Sequence, residues 1–232
     1  ASVTLNGTSI LEADNMFREW TVDVTPHLRL GENELEVRLR SPLPPALAAR
    51  AALPYQLPAD NDAGDPPSRV FVGKADYHYG WDWGQRMVTM GIWRPVELVA
   101  WGGARITDLF AETITLSDQV ALVSAVVEVQ ATQQEADIRA AGGGLPVTLT
   151  LSSPDRAFRP VTYSALLAAG RNTFSVPLEI PDPRRWWPNG LGEAHLYTVQ
   201  AHLKAGRRSD TRSARIGLRT LELVIDPDSL GE

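Results

Sequence analysis

The sequence predicts an all-β protein, in which part of a jelly-roll sandwich is followed by an immunoglobulin-like β-sandwich. Most segments are short and alternate between apolar and polar residues, as half-buried strands do. Turn-forming Gly, Pro, Asn, Asp and Ser residues separate these segments at roughly regular spacing, which is typical of sandwiches. Trp and Tyr are dense before Trp101-Gly102-Gly103 and sparse after it, so we expect a domain boundary there.

The first predicted domain spans residues 1–103. Ser2-Val3-Thr4-Leu5 alternates and leads directly into Asn6-Gly7, the strongest two-residue signal for a hairpin. Pro44 and Pro45 predict the start of a helix over 46–53, since proline suits the first turn. Further strands are predicted at 20–24, 34–40, 86–89 and 93–101. These are too few for the eight strands of a jelly roll, so we expect its first strands to precede Ala1.

The second predicted domain spans residues 104–225. Its length of about 120 residues with about seven strands is that of an immunoglobulin-like sandwich. The strands are predicted at 106–115, 119–130, 147–151, 172–180, 196–203, 210–216 and 218–225. Residues 226–232 follow the last predicted strand without a terminal cap and are predicted to begin a linker to a further domain.

Composition excludes several classes of function. The 232 residues are 44% hydrophobic and 22% charged, which is ordinary globular composition. The net charge of −6 argues against nucleic-acid binding, and no apolar run is long enough for a membrane span. The absence of cysteine removes thiolate metal sites and favours a bacterial cytoplasmic location. We predict no cofactor and no metal, because the four histidines lack the spacing of a zinc site.

The aromatic cluster from Tyr77 to Gly84 is the one positive chemical signal. It contains four Tyr and Trp rings and one carboxylate, with Gly80 and Gly84 on either side of Trp81-Asp82-Trp83. Aromatic faces stack on the apolar faces of sugar rings, and a carboxylate accepts hydrogen bonds from vicinal hydroxyls. The alternative is structural, with both Trp rings in the core and Asp82 capping a turn.

These residues carry a resemblance to the β-mannosidases of glycoside hydrolase family 2. The resembling segments are Ala1 to Gly7, Asp14 to Arg18, Leu30 to Asn33, Tyr79 to Gly84, Gly91 to Val96, Arg185 to Gly192 and Ile216 to Thr220. Asn15-Met16-Phe17 and the Trp-Asp-Trp-Gly segment favour β-mannosidases over the β-galactosidases and β-glucuronidases of the family. Gln85 stands where the family usually has proline, a departure that hardly affects the site.

The resemblance implies a fold and an activity. Family members begin with a jelly-roll, galactose-binding-like domain, followed by an immunoglobulin-like sandwich and then a (β/α)8 barrel. They are retaining exo-enzymes that release terminal β-mannose with two carboxyl groups about 5–5.5 Å apart. Both are Glu residues of the barrel, so no catalytic residue is expected in this chain. By itself the chain should be inactive, and its partners should be the β-mannoside substrate and its own catalytic barrel.

The resemblance also assigns four residues to the substrate site. It implies that Trp81 lines the pocket and that Asp82 accepts hydrogen bonds from mannose hydroxyls, O4 and O6, far from the reacting carbon. Trp83 and Tyr79 are expected to support these two by packing.

Two other functions remain open at this stage. The chain could be a stand-alone carbohydrate-binding module of the same ancestry, or a structural sandwich with no saccharide preference. A second sugar site is also conceivable at Trp186-Trp187-Pro188-Asn189-Gly190, although a tight structural turn is the favoured interpretation of that loop.

Overall fold

The computed structural model describes residues 1–132 and 142–225, and strands dominate its regular structure. The chain divides into two compact units, Ala1–Glu97 and Leu98–Glu232. The sequence placed the boundary a few residues later, after residue 103. The predicted linker at 226–232 lies outside the described residues. No helix in the described part of the chain is long and apolar enough to cross a membrane.

Unit 1 contains one antiparallel three-stranded sheet, one helix and three short 3-10 turns. The strands are β1 (Ser2–Leu5), β2 (Thr8–Glu12) and β3 (Leu35–Arg38), in the order β2-β1-β3. The helix α1 spans Leu43–Ala51, and the 3-10 turns span Thr25–His27, Arg69–Phe71 and Asp76–Tyr79. The predicted hairpin is confirmed: β1 and β2 pair across Asn6 and Gly7, which both have positive φ. The helix begins before its predicted start because Pro44 and Pro45 lie within its first turn.

Three predicted strands in this region are wrong. Residues 20–24 are irregular, because the Asp23 carboxylate accepts the Thr25 N–H (2.9 Å) and bends the chain into a 3-10 turn. Residues 86–89 do not pair with another strand. The Met87 N–H instead donates a hydrogen bond to the carbonyl of His78 (2.9 Å), which lies in the 3-10 turn Asp76–Tyr79. Residues 93–101 alternate in sequence, but no described strand hydrogen-bonds to them.

Where the structure describes unit 2, at 98–132 and 142–225, it shows two antiparallel sheets. Its strands are β4 (Ala104–Leu116), β5 (Val120–Ala131), β6 (Leu145–Ser152), β7 (Val161–Leu167), β8 (Gly170–Pro181), β9 (Tyr197–Ala205) and β10 (Arg208–Ile216). One sheet has the order β4-β5-β8, and the other has the order β10-β9-β6-β7. The Asp210 carboxylate of β10 accepts the Ile106 N–H of β4 (2.7 Å), which joins an edge of each sheet.

The core of unit 2 lies between the two sheets. Alternate residues of β5, β6 and β9 are buried, as expected for strands with one face on a core. They form a single apolar cluster with residues from β4, β8 and β10. This is the two-sheet architecture that the sequence predicted for this region.

Two details of unit 2 differ from prediction. Strand β7 was missed, because its residues Val161–Leu167 carry a mixed polar pattern and only Leu167 is buried. The predicted strand at 218–225 is absent. Leu218 is buried, but Leu221 and Leu223 are 85% and 86% exposed. The alternating apolar residues of this segment therefore do not pack against a sheet.

Candidate functional site

A tight turn presents the Trp81-Asp82-Trp83 segment in unit 1. The 3-10 turn Asp76–Tyr79 ends at Gly80, whose φ of +113° is a conformation that glycine adopts without strain. Trp81 and Gly84 then exchange two backbone hydrogen bonds, each 3.1 Å long. These reciprocal bonds close the turn over Trp81–Gly84, and Asp82 and Trp83 form its tip.

The side chains of the turn are largely exposed. Trp81 is 50% exposed and Trp83 is 85% exposed, and their rings meet edge to face with centroids 6.0 Å apart. Asp82 is exposed between them. The turn therefore offers an apolar ring face and a carboxylate side by side, which is a combination suited to a sugar ring and its hydroxyls.

Tyr79 lies two residues before Trp81 and is completely buried. Burial raises the pKa of its hydroxyl, and the nearby negative charge of Asp62 raises it further. The guanidinium of Arg86 lies 5.6 Å from the centre of its ring. The structure thus places Tyr79 in the interior of unit 1 and Trp83 at its surface.

Asp62 is a residue of this cluster that the sequence analysis missed. Its side chain is fully buried, and its carboxylate accepts the backbone N–H groups of Gly64 (2.9 Å), Ser68 (2.5 Å) and Arg69 (2.9 Å). Arg86 Nε also donates to it (3.3 Å). The sequence offered one local signal for this role, the segment Asp62-Ala63-Gly64. An aspartate carboxylate can accept a hydrogen bond from the backbone N–H two residues later in the chain.

The pKa of Asp62 reflects this environment. Loss of water raises the pKa of the carboxyl, but the hydrogen bonds from Ser68, Arg69, Gly64 and Arg86 outweigh that effect. The net pKa lies below the ordinary value of 3.8, so the group is ionised at neutral pH.

In the described ranges 1–132 and 142–225, no three or more His, Asp or Glu side chains lie together as a group that could hold a metal ion. Asp76 pairs with Arg69 (3.0 Å), and His78 Nδ1 lies 3.2 Å from the Met87 carbonyl oxygen. These two side chains are therefore engaged within unit 1.

The Trp186–Gly190 loop packs on the backbone of unit 2. The Trp186 ring covers Gly217 so closely that a Cβ there would lie 2.7 Å from it, and Arg219 stacks on the ring at 4.6 Å. The Trp187 ring covers Gly192 in the same way. These contacts favour the structural interpretation over a second sugar site.

Family models match both units. Residues 1–94 match the glycosyl hydrolase 2 galactose-binding domain-like model, and residues 104–219, half of the chain, match the glycosyl hydrolases family 2 model. The chain belongs to glycosyl hydrolase family 2. The predicted fold class is confirmed, with a galactose-binding-like region followed by an immunoglobulin-like β-sandwich.

Relatives named as β-mannosidases cover all or nearly all of the chain. Beta-mannosidase B of Aspergillus fumigatus is 37% identical over 100% of the chain, and beta-mannosidase B of Thermothelomyces thermophilus is 38% identical over 98%. The solved structure of the beta-D-mannosidase from Dictyoglomus thermophilum is 33% identical over 98% of the chain, with a TM-score of 0.85. The chain spans about a quarter of the length of these proteins: 26%, 25% and 27%, respectively.

A more distant structure shares the fold alone. The exo-chitosanase CsxA of Amycolatopsis orientalis superposes with a TM-score of 0.67 over 99% of the chain at 18% identity. The two-unit fold therefore occurs in proteins named for different substrates, so the choice of substrate must be argued from the site.

Proposed function

We propose that this chain is the N-terminal, non-catalytic region of a retaining exo-β-mannosidase that hydrolyses terminal β-D-mannose residues. The observation that carries the proposal is the exposed Trp81–Gly84 turn, in a chain that is 33–38% identical to three proteins named as β-mannosidases. The catalytic Glu pair and the barrel would belong to a further part of the protein.

In the proposed enzyme, Trp81 lines the sugar pocket and Asp82 binds hydroxyls of the mannose ring, O4 and O6. The exposure of both side chains supports this role, because neither is committed to the core of unit 1. Such contacts lie far from the reacting carbon. They accelerate the reaction only by holding the ring where the catalytic carboxyl groups can reach it.

Trp83 and Tyr79 are proposed to support the two contact residues in different ways. Tyr79, which is completely buried, would anchor the chain that leads into the turn. The Trp83 ring lies edge to face with the Trp81 ring, and this packing would limit the orientations that Trp81 can adopt.

The substrate class is tested with the complete gene product on aryl β-mannoside, β-galactoside and β-glucuronide. We expect hydrolysis of the mannoside alone, and none by the 232-residue chain. Hydrolysis by the 232-residue chain would show that the catalytic groups lie within it and would overturn the proposal. Inactivity of the complete protein on all three substrates would instead favour a carbohydrate-binding module.

The site is tested with Asp82→Ala in the complete protein. Loss of one contact at the sugar should lower kcat/KM for the mannoside about tenfold or more. The matched control is Asp60→Ala, which removes an exposed carboxylate from the loop before the turn. Rates near wild type for Asp82→Ala, or equal losses for both variants, would overturn the assignment.

A further inference from the structure

We infer that Asp62 is a positioning residue that fixes the Trp81–Gly84 turn and acts on the bound sugar through Trp81 and Asp82. The inference rests on the proposed function, because it assigns a role within the same site. The supporting observations are contacts between residues 61–64, which include the buried Asp62 carboxylate, and the residues on either side of the Trp81–Gly84 turn.

The chain entering the turn is held by the neighbours of Asp62. The Ala63 N–H donates to the Tyr79 carbonyl (3.0 Å), immediately before the turn begins. Gly80 follows in close contact with the same segment, since a Cβ there would lie 3.2 Å from Ala63 Cβ and 3.4 Å from the Asn61 carbonyl oxygen. A shift of the Asp62 segment would therefore move the backbone that leads into Trp81.

The chain leaving the turn is held by Asp62 itself. Arg86 lies two residues after Gly84, and its Nε donates to Asp62 Oδ1 (3.3 Å). The Arg86 guanidinium also lies over the ring of Tyr79. Asp62, Arg86 and Tyr79 thus connect the two ends of the turn.

A carboxylate suits this position because four donors converge on it. Asp62 Oδ1 accepts from Gly64 and Arg86, and Oδ2 accepts from Ser68 and Arg69. An amide offers a single acceptor oxygen, so Asp62→Asn would place a donor group against two buried N–H groups. No solvent reaches the Asp62 side chain to compensate for the loss.

The first test is a double-mutant cycle in the complete enzyme with an aryl β-mannoside. Arg86→Gln should disturb folding less than Asp62→Asn does. The Arg86 side chain is 26% exposed, and the three backbone N–H groups still donate to Asp62 in this variant. We expect Asp62→Asn and Arg86→Gln each to lower kcat/KM about tenfold, mainly through KM. The control Asp60→Asn, an exposed residue in the same loop, should stay within about twofold of wild type.

The cycle separates positioning from general stability. If Arg86 and Asp62 act through Trp81 and Asp82, Arg86→Gln should lower kcat/KM by a smaller factor in an Asp82→Ala background than in the wild type, because one of the two contacts is already lost. An equal loss in both backgrounds would overturn the inference. Arg86→Lys keeps the positive charge and should recover part of the lost kcat/KM.

A second readout does not depend on the substrate. In the complete protein, Arg86→Gln should speed amide hydrogen exchange in peptides covering residues 79–87 by about tenfold, while peptides of β5 remain unchanged. Unchanged exchange over 79–87 would overturn the inference even if the enzyme cleaves mannosides. Faster exchange in an enzyme that cleaves no mannoside would contradict the proposed substrate and leave the positioning role in place.

Discussion

The Asp62 carboxylate illustrates how one side chain can organise a loop that has little regular structure. Three backbone N–H groups from Gly64, Ser68 and Arg69 would be left without a protein partner if it were removed. Each buried donor without an acceptor costs about 1–3 kcal/mol. The order of residues 62–69 therefore depends on this one ionised group.

This dependence predicts an effect of pH. The pKa of Asp62 is lowered in the folded state, so its contribution to stability is complete above about pH 5 and is lost as the pH falls through the folded pKa, below 3.8. We expect Asp62→Asn to speed hydrogen exchange over residues 61–69, relative to wild type at the same pH, with a ratio that is constant from about pH 5 to 8. The ratio should shrink towards one in more acidic buffer. A ratio that stays constant down to about pH 3 would contradict the linkage.

The candidate site was only partly predictable from sequence. Tyr79, Trp81, Asp82 and Trp83 are contiguous, so their composition was visible at once. Asp62 was not visible, because its importance arises from Arg86, which lies 24 positions along the chain. Contacts of that kind depend on the fold and leave no local pattern.

At the level of elements, prediction succeeded where alternation coincided with burial. Strands β5 and β9 alternate in sequence and have one buried face, so their positions were predicted closely. The segment 218–225 alternates equally well, but its leucines are exposed after Leu218. A period of two predicts a strand only when another strand is available to pair with it.

The packing of Trp186 on Gly217 predicts a cost for any side chain at that glycine. In Gly217→Ala the new Cβ would lie 2.7–2.8 Å from three atoms of Trp186, so the ring must move. Forcing an extra carbon into such a contact costs about 1–3 kcal/mol. We expect a lower melting temperature of unit 2 in the 232-residue chain and an unchanged substrate preference in the complete enzyme.

The control for this prediction is Gly91→Ala, where no atom lies within 4 Å of the added Cβ. It should leave the melting temperature of unit 2 unchanged. A changed substrate preference in Gly217→Ala, with melting unchanged, would instead indicate that the Trp186–Gly190 loop is a sugar site.

Across the whole molecule, the apolar core is unevenly divided. Among the described residues of unit 2, 24 buried apolar residues form one cluster. In the described residues of unit 1 the buried apolar residues are Leu5, Ala46 and Tyr79. Leu35 and Leu39, which the sequence places on one apolar face, are 49% and 40% exposed. Since burial of apolar surface is the main stabilising term, local stability should differ between the units.

This difference predicts the pattern of amide hydrogen exchange in the 232-residue chain. Amides of β5 and β9 should exchange only on unfolding of unit 2, because these strands face the core of their sandwich and β5 is paired on both sides. Amides of β1, β2 and β3 should exchange far faster, since their sheet covers little buried apolar surface. Leu149→Ala should remove about 2–5 kcal/mol from unit 2 and speed exchange in β5 and β9 without affecting β1. Equal protection of β1 and β5 in the wild-type chain would contradict the argument, because three buried apolar residues would then stabilise a unit as well as 24 do.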